Sequence, residues 1–272
     1  MEAETLSVSI PYKGCDKQCP YCISKMTGYI EGNMEVIMKN YSKVVQMAKN
    51  ARVNNVIITG KGEPVLNPAL IKVALEKFYD FPIELQTNGI KLKSSGKRML
   101  EDFFSRGLNT LALSVDKLSD VVELYDLIEF ANEIGLVTKI LIIVTDELRG
   151  LTLDDFIEDC NARQFTIRKA TAPDWGFDNT NLAVYTKEWI RKNVGYESKS
   201  FIETSVRKLM KDGRLIRKLS YGPFVYDYCG VSCVYFNRCI QESSGDGDVR
   251  NLIFQEDGHL YYFWNSMASI IF

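Results

Sequence analysis

A single histidine, His259, is present in 272 residues. That scarcity leaves little room for a His-rich zinc enzyme or a Ser-His-Asp hydrolase built in the usual way. Charge of one sign is also missing: 33 Lys+Arg face 35 Asp+Glu, a net of −2. Such a balance argues against a general affinity for nucleic acid or an anionic membrane. No apolar run reaches the ~20 residues that a membrane span needs, and the N-terminus shows no basic-then-apolar leader. What remains is an ordinary globular composition, 46% hydrophobic and 25% charged, long enough for one large domain with or without a small appendage.

Cysteine is the residue that is there in an informative pattern. Cys15, Cys19 and Cys22 form one trio, Cys229, Cys233 and Cys239 a second, and Cys160 stands alone. An odd count without a leader is poor material for a secreted disulfide framework, whereas clustered cysteines in a cytoplasmic chain point to metal.

The chain then alternates. A β-rich segment at 5–10 precedes a polar, Gly- and Cys-bearing loop from Pro11 to about Gly32. Helices expected at 34–50, 68–79, 94–106, 119–134 and 153–162 alternate with strands at 55–59, 83–87, 110–115, 137–144 and 165–170. Six strands with five intervening helices are the signature of repeated βαβ units and a parallel sheet. Gly60-Lys61-Gly62-Glu63-Pro64, Thr87-Asn88-Gly89 and Ser114-Val115-Asp116 each fall just past or at a strand's C-terminal end, where a ligand-binding rim is expected. From about residue 171 the rhythm stops: a helix is expected over 186–212, then a hairpin of 214–219 with 224–228. A second hairpin flanks Asp257-Gly258.

Three thiolates spaced Cys15-x3-Cys19-x2-Cys22 need a fourth ligand to complete a tetrahedral zinc site. They can instead hold three irons of a [4Fe–4S] cluster and leave the fourth open. Zinc completed from elsewhere, or free thiols, are the alternatives. Gly14–Cys22, with Tyr21 just before the last cysteine, resembles the cluster loop of the radical S-adenosylmethionine (radical SAM) family, and the later motifs follow in the family's order. The resemblance covers residues 5 to about 170. Two departures stand out: Asp16 replaces the commoner Asn, and Lys61 splits the Gly-Gly pair.

The resemblance implies an α/β fold, a partial (β/α)6 TIM-like barrel over residues 1–172, followed by a C-terminal cap over 173–272. It implies that Cys15, Cys19 and Cys22 hold the cluster and that Tyr21 lies beside the adenine of SAM. Gly60, Gly62 and Glu63 would receive the SAM amino group, Asn88 would lie near SAM, and Ser114 and Asp116 would meet the ribose. Arg168 would reach the SAM carboxylate or the substrate. The implied activity is reductive cleavage of SAM to methionine and a 5′-deoxyadenosyl radical, which takes a hydrogen atom from a small-molecule or nucleotide substrate. An electron donor such as flavodoxin or ferredoxin would supply the electron. With only four residues ahead of the first strand, a small substrate is favoured over a peptide or protein. Both substrate classes stay open, as does a zinc-stabilised, non-catalytic binding module. The residue that handles the substrate radical is not identifiable.

The second trio, beside the Asp257-Gly258 hairpin, resembles the auxiliary-cluster caps (twitch or SPASM-like) of the same family. Cys229, Cys233 and Cys239 are therefore expected to bind a second iron–sulfur cluster, with zinc or reduced thiols as alternatives. Cys160 reads as a buried small apolar residue. Arg207, Lys208, Lys211, Arg214, Arg217 and Lys218 face one acid, Asp212: a phosphate- or nucleotide-contacting surface, or a solvated helix end and edge strand. His259, just after a turn glycine, is expected to be structural.

Overall fold

The computed structural model describes residues 1–95, 97–173, 178–219, 222–236, 249–264 and 266–272. The six expected strands are β1 (Ala3–Ser9), β2 (Asn55–Thr59), β3 (Ile83–Thr87), β4 (Thr110–Val115), β5 (Val137–Val144) and β6 (Gln164–Lys169). Later come β7 (Arg214–Lys218), β8 (Phe224–Tyr228), β9 (Val231–Phe236), β10 (Val249–Phe254) and β11 (Leu260–Tyr261). Among the described residues these make one sheet in the order β11-β10-β1-β2-β3-β4-β5-β6-β9-β8-β7. β1 to β6 are parallel neighbours in chain order, the parallel sheet that the alternating elements predict and the α/β partial barrel that the resemblance implies.

The C-terminal strands extend this sheet at both edges. β9 runs parallel to β6, and β10 runs parallel to β1. β7, β8 and β9 form an antiparallel meander, and β10 and β11 form the hairpin around Asp257-Gly258.

Each parallel strand sends alternate residues to opposite faces. Val56 and Ile58, Ile83 and Leu85, Ile140 and Ile142, and Phe165 and Ile167 pack into the apolar core. The alternating partners Asn55, Glu84, Gln86, Lys139 and Arg168 face an inner cavity. The outer layer includes the helix Met34–Asn50, which buries Ile37, Tyr41, Val44 and Ala48. The Tyr41 ring meets Phe78 and Phe254 edge-on at 5.9 and 5.3 Å. Burying side chains of this size contributes roughly 1.5–3 kcal/mol each.

Two expected helices are broken. The segment 119–134 is divided into Leu118–Glu123 and Tyr125–Glu133. The stretch 186–212 is likewise two helices, Asn181–Asn193 and Tyr196–Asp212. Here the break has a visible cause. The Asp146 carboxylate accepts from the backbone N–H of Gly195 at 3.0 Å and of Ser198 at 2.7 Å, and from the Ser198 hydroxyl at 2.6 Å. A distant carboxylate thus caps the second helix, and periodicity along 186–212 cannot reveal it.

Candidate active site

The loop after β1 carries Cys15, Cys19 and Cys22, all half-buried, and Cys22 caps the short helix Ile23–Thr27. Around it stand the loops that follow β2, β3 and β4, so the expected motifs share the C-terminal rim of adjacent strands. The loops are mutually braced. Gly62 admits nothing larger than hydrogen: a Cβ there would lie 2.3 Å from the Gly14 carbonyl oxygen and 2.7 Å from the Tyr12 ring. The Glu63 N–H donates to that same Gly14 oxygen at 2.9 Å.

Glu63 is a bracket between strands. Its Oε1 accepts from Thr87 Oγ1 at 2.7 Å and Val65 N–H at 3.0 Å, and its Oε2 from Asn88 N–H at 2.9 Å. Burial pushes its carboxyl above the usual range, partly offset by the Asn88, Thr87 and Val65 donors. Asn88 then reaches back to the cysteine loop, its Nδ2 donating to Asp16 Oδ1 at 2.7 Å. Asp16, a departure at the sequence level, is thereby tied to the β3 rim.

On the β4 side, Lys17 lies 2.7 Å from both Asp116 Oδ1 and Asp120 Oδ2. Burial would raise the Asp116 carboxyl, but its contacts with Asp120, the Lys17 ammonium and the Tyr21 hydroxyl outweigh it and hold it low. Tyr21 stands against both Asp116 and Cys19, its hydroxyl pushed up by burial, and its ring is 5.8 Å from Trp189. Burial raises the Cys19 thiol to about 11, Lys17 opposing. Ser114, half-buried in β4, also belongs to this rim.

Lys61, the other departure, joins three segments. Its N–H donates to Glu256 Oε1 at 3.2 Å and its ammonium to the Gly28 carbonyl at 2.7 Å. Glu256, fully buried, also accepts from Ser9 Oγ at 3.2 Å. The C-terminal hairpin therefore reaches the rim through Glu256.

Below the rim lies a cavity of about 510 Å³. Glu84 and Lys139 cross it as an ion pair at 2.8 Å, with Gln86 Nε2 donating to Glu84 at 2.8 Å. Arg168 lines the same cavity, with its guanidinium 5.7 Å from the Phe236 ring.

The second trio is elsewhere. Cys229 is exposed, with φ +53, in the turn joining β8 to β9, at the end of the sheet away from the rim. Cys233 is fully buried among the apolar core residues, and burial raises its thiol to about 12. Cys239 lies outside the described residues. Cys160 is buried, its Sγ donating to the Phe156 carbonyl at 3.4 Å. His259 sits in the β10–β11 turn, its N–H donating to Asp257 Oδ1 at 3.0 Å.

Sequence reasoning passed over Lys17, Glu84, Lys139, Arg250 and Glu256. For Glu84 and Lys139 a signal existed: a charged residue alternating with Ile and Leu inside a parallel strand faces a lumen. For Lys17 and Glu256 there was none, since their partners are about 100 and 195 residues away.

The donor set fits an iron–sulfur cluster. Three half-buried thiols share one loop, braced by a glycine that a Cβ would displace. Among the described residues no three His, Cys, Asp or Glu groups are arranged for a single metal ion. A cluster binds each thiolate through a different iron, and so needs a wider spacing than one ion does. A parallel partial barrel with such a loop at its mouth defines a cluster-bearing enzyme framework. Residues 9–160, more than half of the chain, match the family model of the Radical SAM superfamily, and the chain belongs to that superfamily.

Similar proteins include GTP 3′,8-cyclase of Clostridium acetobutylicum, 34% identical over 38% of this chain and 32% of that protein. GTP 3′,8-cyclase of Aliarcobacter butzleri is 26% identical over 61% of this chain and 54% of its own. The chain thus spans about half or less of these curated relatives. Streptococcus suis SuiB, solved bound to precursor peptide SuiA, aligns with a TM-score of 0.55 at 17% identity, covering 95% of this chain and 59% of SuiB. That likeness is one of fold alone. Among the described residues no helix is long and apolar enough to cross a membrane.

Proposed function

We propose that the chain is an enzyme that binds a [4Fe–4S] cluster through Cys15, Cys19 and Cys22 and SAM on the surrounding rim, and acts on a small-molecule or nucleotide substrate in the cavity below. When bound, the cluster and SAM together supply one-electron cleavage of the sulfonium and hydrogen-atom abstraction. The observation that carries the reading is the convergence of the cysteine loop, Gly60–Glu63, Asn88 and Asp116 on one rim above one polar cavity. A volume of about 510 Å³ suits a nucleotide-sized guest.

The protein's own residues position and exclude water. Gly60 and Gly62 let the backbone close on the cysteine loop, and Tyr21, Ser114 and Asp116 face the adenosine side of SAM. Glu63 acts mainly as a brace, because its oxygens already take three protein donors. Asn88 orients the cysteine loop through Asp16. Arg168 remains the cation for a carboxylate or a substrate anion. Flavodoxin or ferredoxin in the cytoplasm is the class of electron donor this chemistry requires.

A second cluster on Cys229, Cys233 and Cys239 would require Cys233 to turn out of the core. Iron analysis of the Cys229→Ser variant tests it: a second cluster predicts loss of about half the iron.

The experiment for the main reading is anaerobic incubation of reconstituted protein with SAM and dithionite. It should release 5′-deoxyadenosine, and the Cys15, Cys19 and Cys22→Ala triple variant should release none. Equal release from both proteins contradicts it.

A further inference from the structure

The turn between β10 and β11 is fitted to its neighbours without slack. Gly258 sits at φ +82, and a Cβ there would lie 2.5 Å from the Ile37 nitrogen and 2.7 Å from the Val36 carbonyl carbon. The Gly258 carbonyl accepts from Asn40 Nδ2 at 2.8 Å, and the Glu256 carbonyl from the Asn33 N–H at 3.1 Å. Asn33 caps the helix Met34–Asn50, so the turn is fixed to the start of that helix.

Held in this way, the turn delivers one carboxylate to the rim. Glu256 Oε1 accepts from Ser9 Oγ at the end of β1 and from the Lys61 N–H, both at 3.2 Å. Lys61 is the centre of Gly60-Lys61-Gly62, and both glycines sit hard against backbone. A Cβ on Gly60 would lie 2.9 Å from the Ile10 carbonyl oxygen, and one on Gly62 2.3 Å from that of Gly14. The loop is thus gripped at its two glycines by residues 10 and 14, and between them by Glu256.

A carboxylate that is fully buried, as Glu256 is, costs free energy that an apolar side chain of similar size avoids. Burial pushes its carboxyl up, while the Lys61 N–H, the Ser9 hydroxyl and the Lys61 ammonium oppose. What the carboxylate contributes in return is an acceptor for one particular backbone N–H. A loop that binds through its own backbone has no side chain to adjust. Its path must be fixed from outside, to within about 0.5 Å.

We infer that Glu256 is a positioning residue for SAM: its acceptor oxygen fixes the backbone of Gly60–Gly62, the loop proposed to receive the SAM amino group. The C-terminal hairpin then serves the site at the first cysteine trio, from 195 residues further along the chain. This role rests on the reading of the rim as the SAM site.

Reach and charge are separable at this position. Glu256→Gln keeps the reach and loses the charge, whereas Glu256→Asp keeps the charge and, one methylene shorter, withdraws from the Lys61 N–H. Two measurements on reconstituted protein compare them: SAM uptake by equilibrium dialysis without reductant, and deuterium exchange at the Lys61 amide without SAM. Glu256→Asp should bind SAM about tenfold more weakly, the loss of a hydrogen bond to a charged acceptor, with faster exchange centred on Lys61. Glu256→Gln should stay within about threefold of the unaltered protein on both. Equal SAM affinity in Glu256→Asp and the unaltered protein overturns the role and leaves the SAM reading standing. So does a larger loss in Glu256→Gln than in Glu256→Asp, or exchange that rises evenly along the chain rather than at Lys61. An unaltered protein that takes up no SAM overturns the reading of the rim, and this role with it.

Discussion

Arg250 of β10 lies 4.8 Å from the ring centre of Phe236 of β9, although their strands stand near opposite ends of the sheet order. A flat sheet would hold them far apart. The contact means that the strands added at the two edges curl towards each other and narrow the open side of the barrel. The chain's last third thus lines the cavity together with the βα units.

Removing that shelf should loosen the seam. Phe236→Ala deletes a half-buried ring and its contacts with Arg168 and Arg250. Destabilisation of about 1–3 kcal/mol is expected, read by urea unfolding. A change within about 0.5 kcal/mol would show that the seam is held by other contacts.

Lys17 is the next test. Its ammonium sits between Asp116 and Asp120, all three side chains at or below 25% exposure. Lys17→Met leaves two carboxylates facing each other, at a cost of about 2–3 kcal/mol. The cysteine loop also loses its tie to β4, so a chelator should strip iron faster than from the unaltered protein. Unchanged iron loss together with unchanged stability contradicts the tether.

Gly62→Ala probes the junction of two loops. Its methyl group would meet the Gly14 carbonyl at 2.3 Å, and backbone cannot swing away as a side-chain end can. The cysteine loop must shift, so iron incorporation should fall at least about twofold and SAM affinity about tenfold. Full iron content with full SAM affinity would show that the loop is not positioned here.

Acid sensitivity follows from Glu84. Burial alone would raise its carboxyl, but the Lys139 ammonium and the Gln86 amide outweigh burial, and it titrates below the usual range. A depressed carboxyl stabilises the fold above its unfolded value of about 4.3, and this is lost as pH falls through the folded value. In cluster-free protein, unfolding free energy should drop more between about pH 6 and about pH 3.5 for the unaltered chain than for Glu84→Gln. Parallel curves contradict the assignment.

Much of the rim was legible because its residues cluster in short motifs at strand ends, where sequence order and spatial order coincide. The cysteine loop, Gly60–Glu63, Asn88 and Asp116 are of this kind. The braces were not legible: Asp16 with Asn88, Lys17 with Asp120 and Lys61 with Glu256 join segments that only the folded sheet makes neighbours. The break between Asn193 and Tyr196 was hidden for the same reason, since Asp146 supplies the cap from another loop. The parallel pairing of β10 with β1 and of β9 with β6 was also beyond local pattern. Short hydrophobic strands advertise their existence, not their partners.

The central claim is that the Cys15, Cys19 and Cys22 loop holds a four-iron cluster with one iron open to SAM. Electron paramagnetic resonance of the anaerobically reconstituted, reduced protein, recorded with and without SAM, tests it most directly. The account predicts about four irons and four sulfides per chain for this site, and a signal whose shape changes when SAM is added. A colourless protein carrying only zinc, or a cluster signal indifferent to SAM, would contradict it.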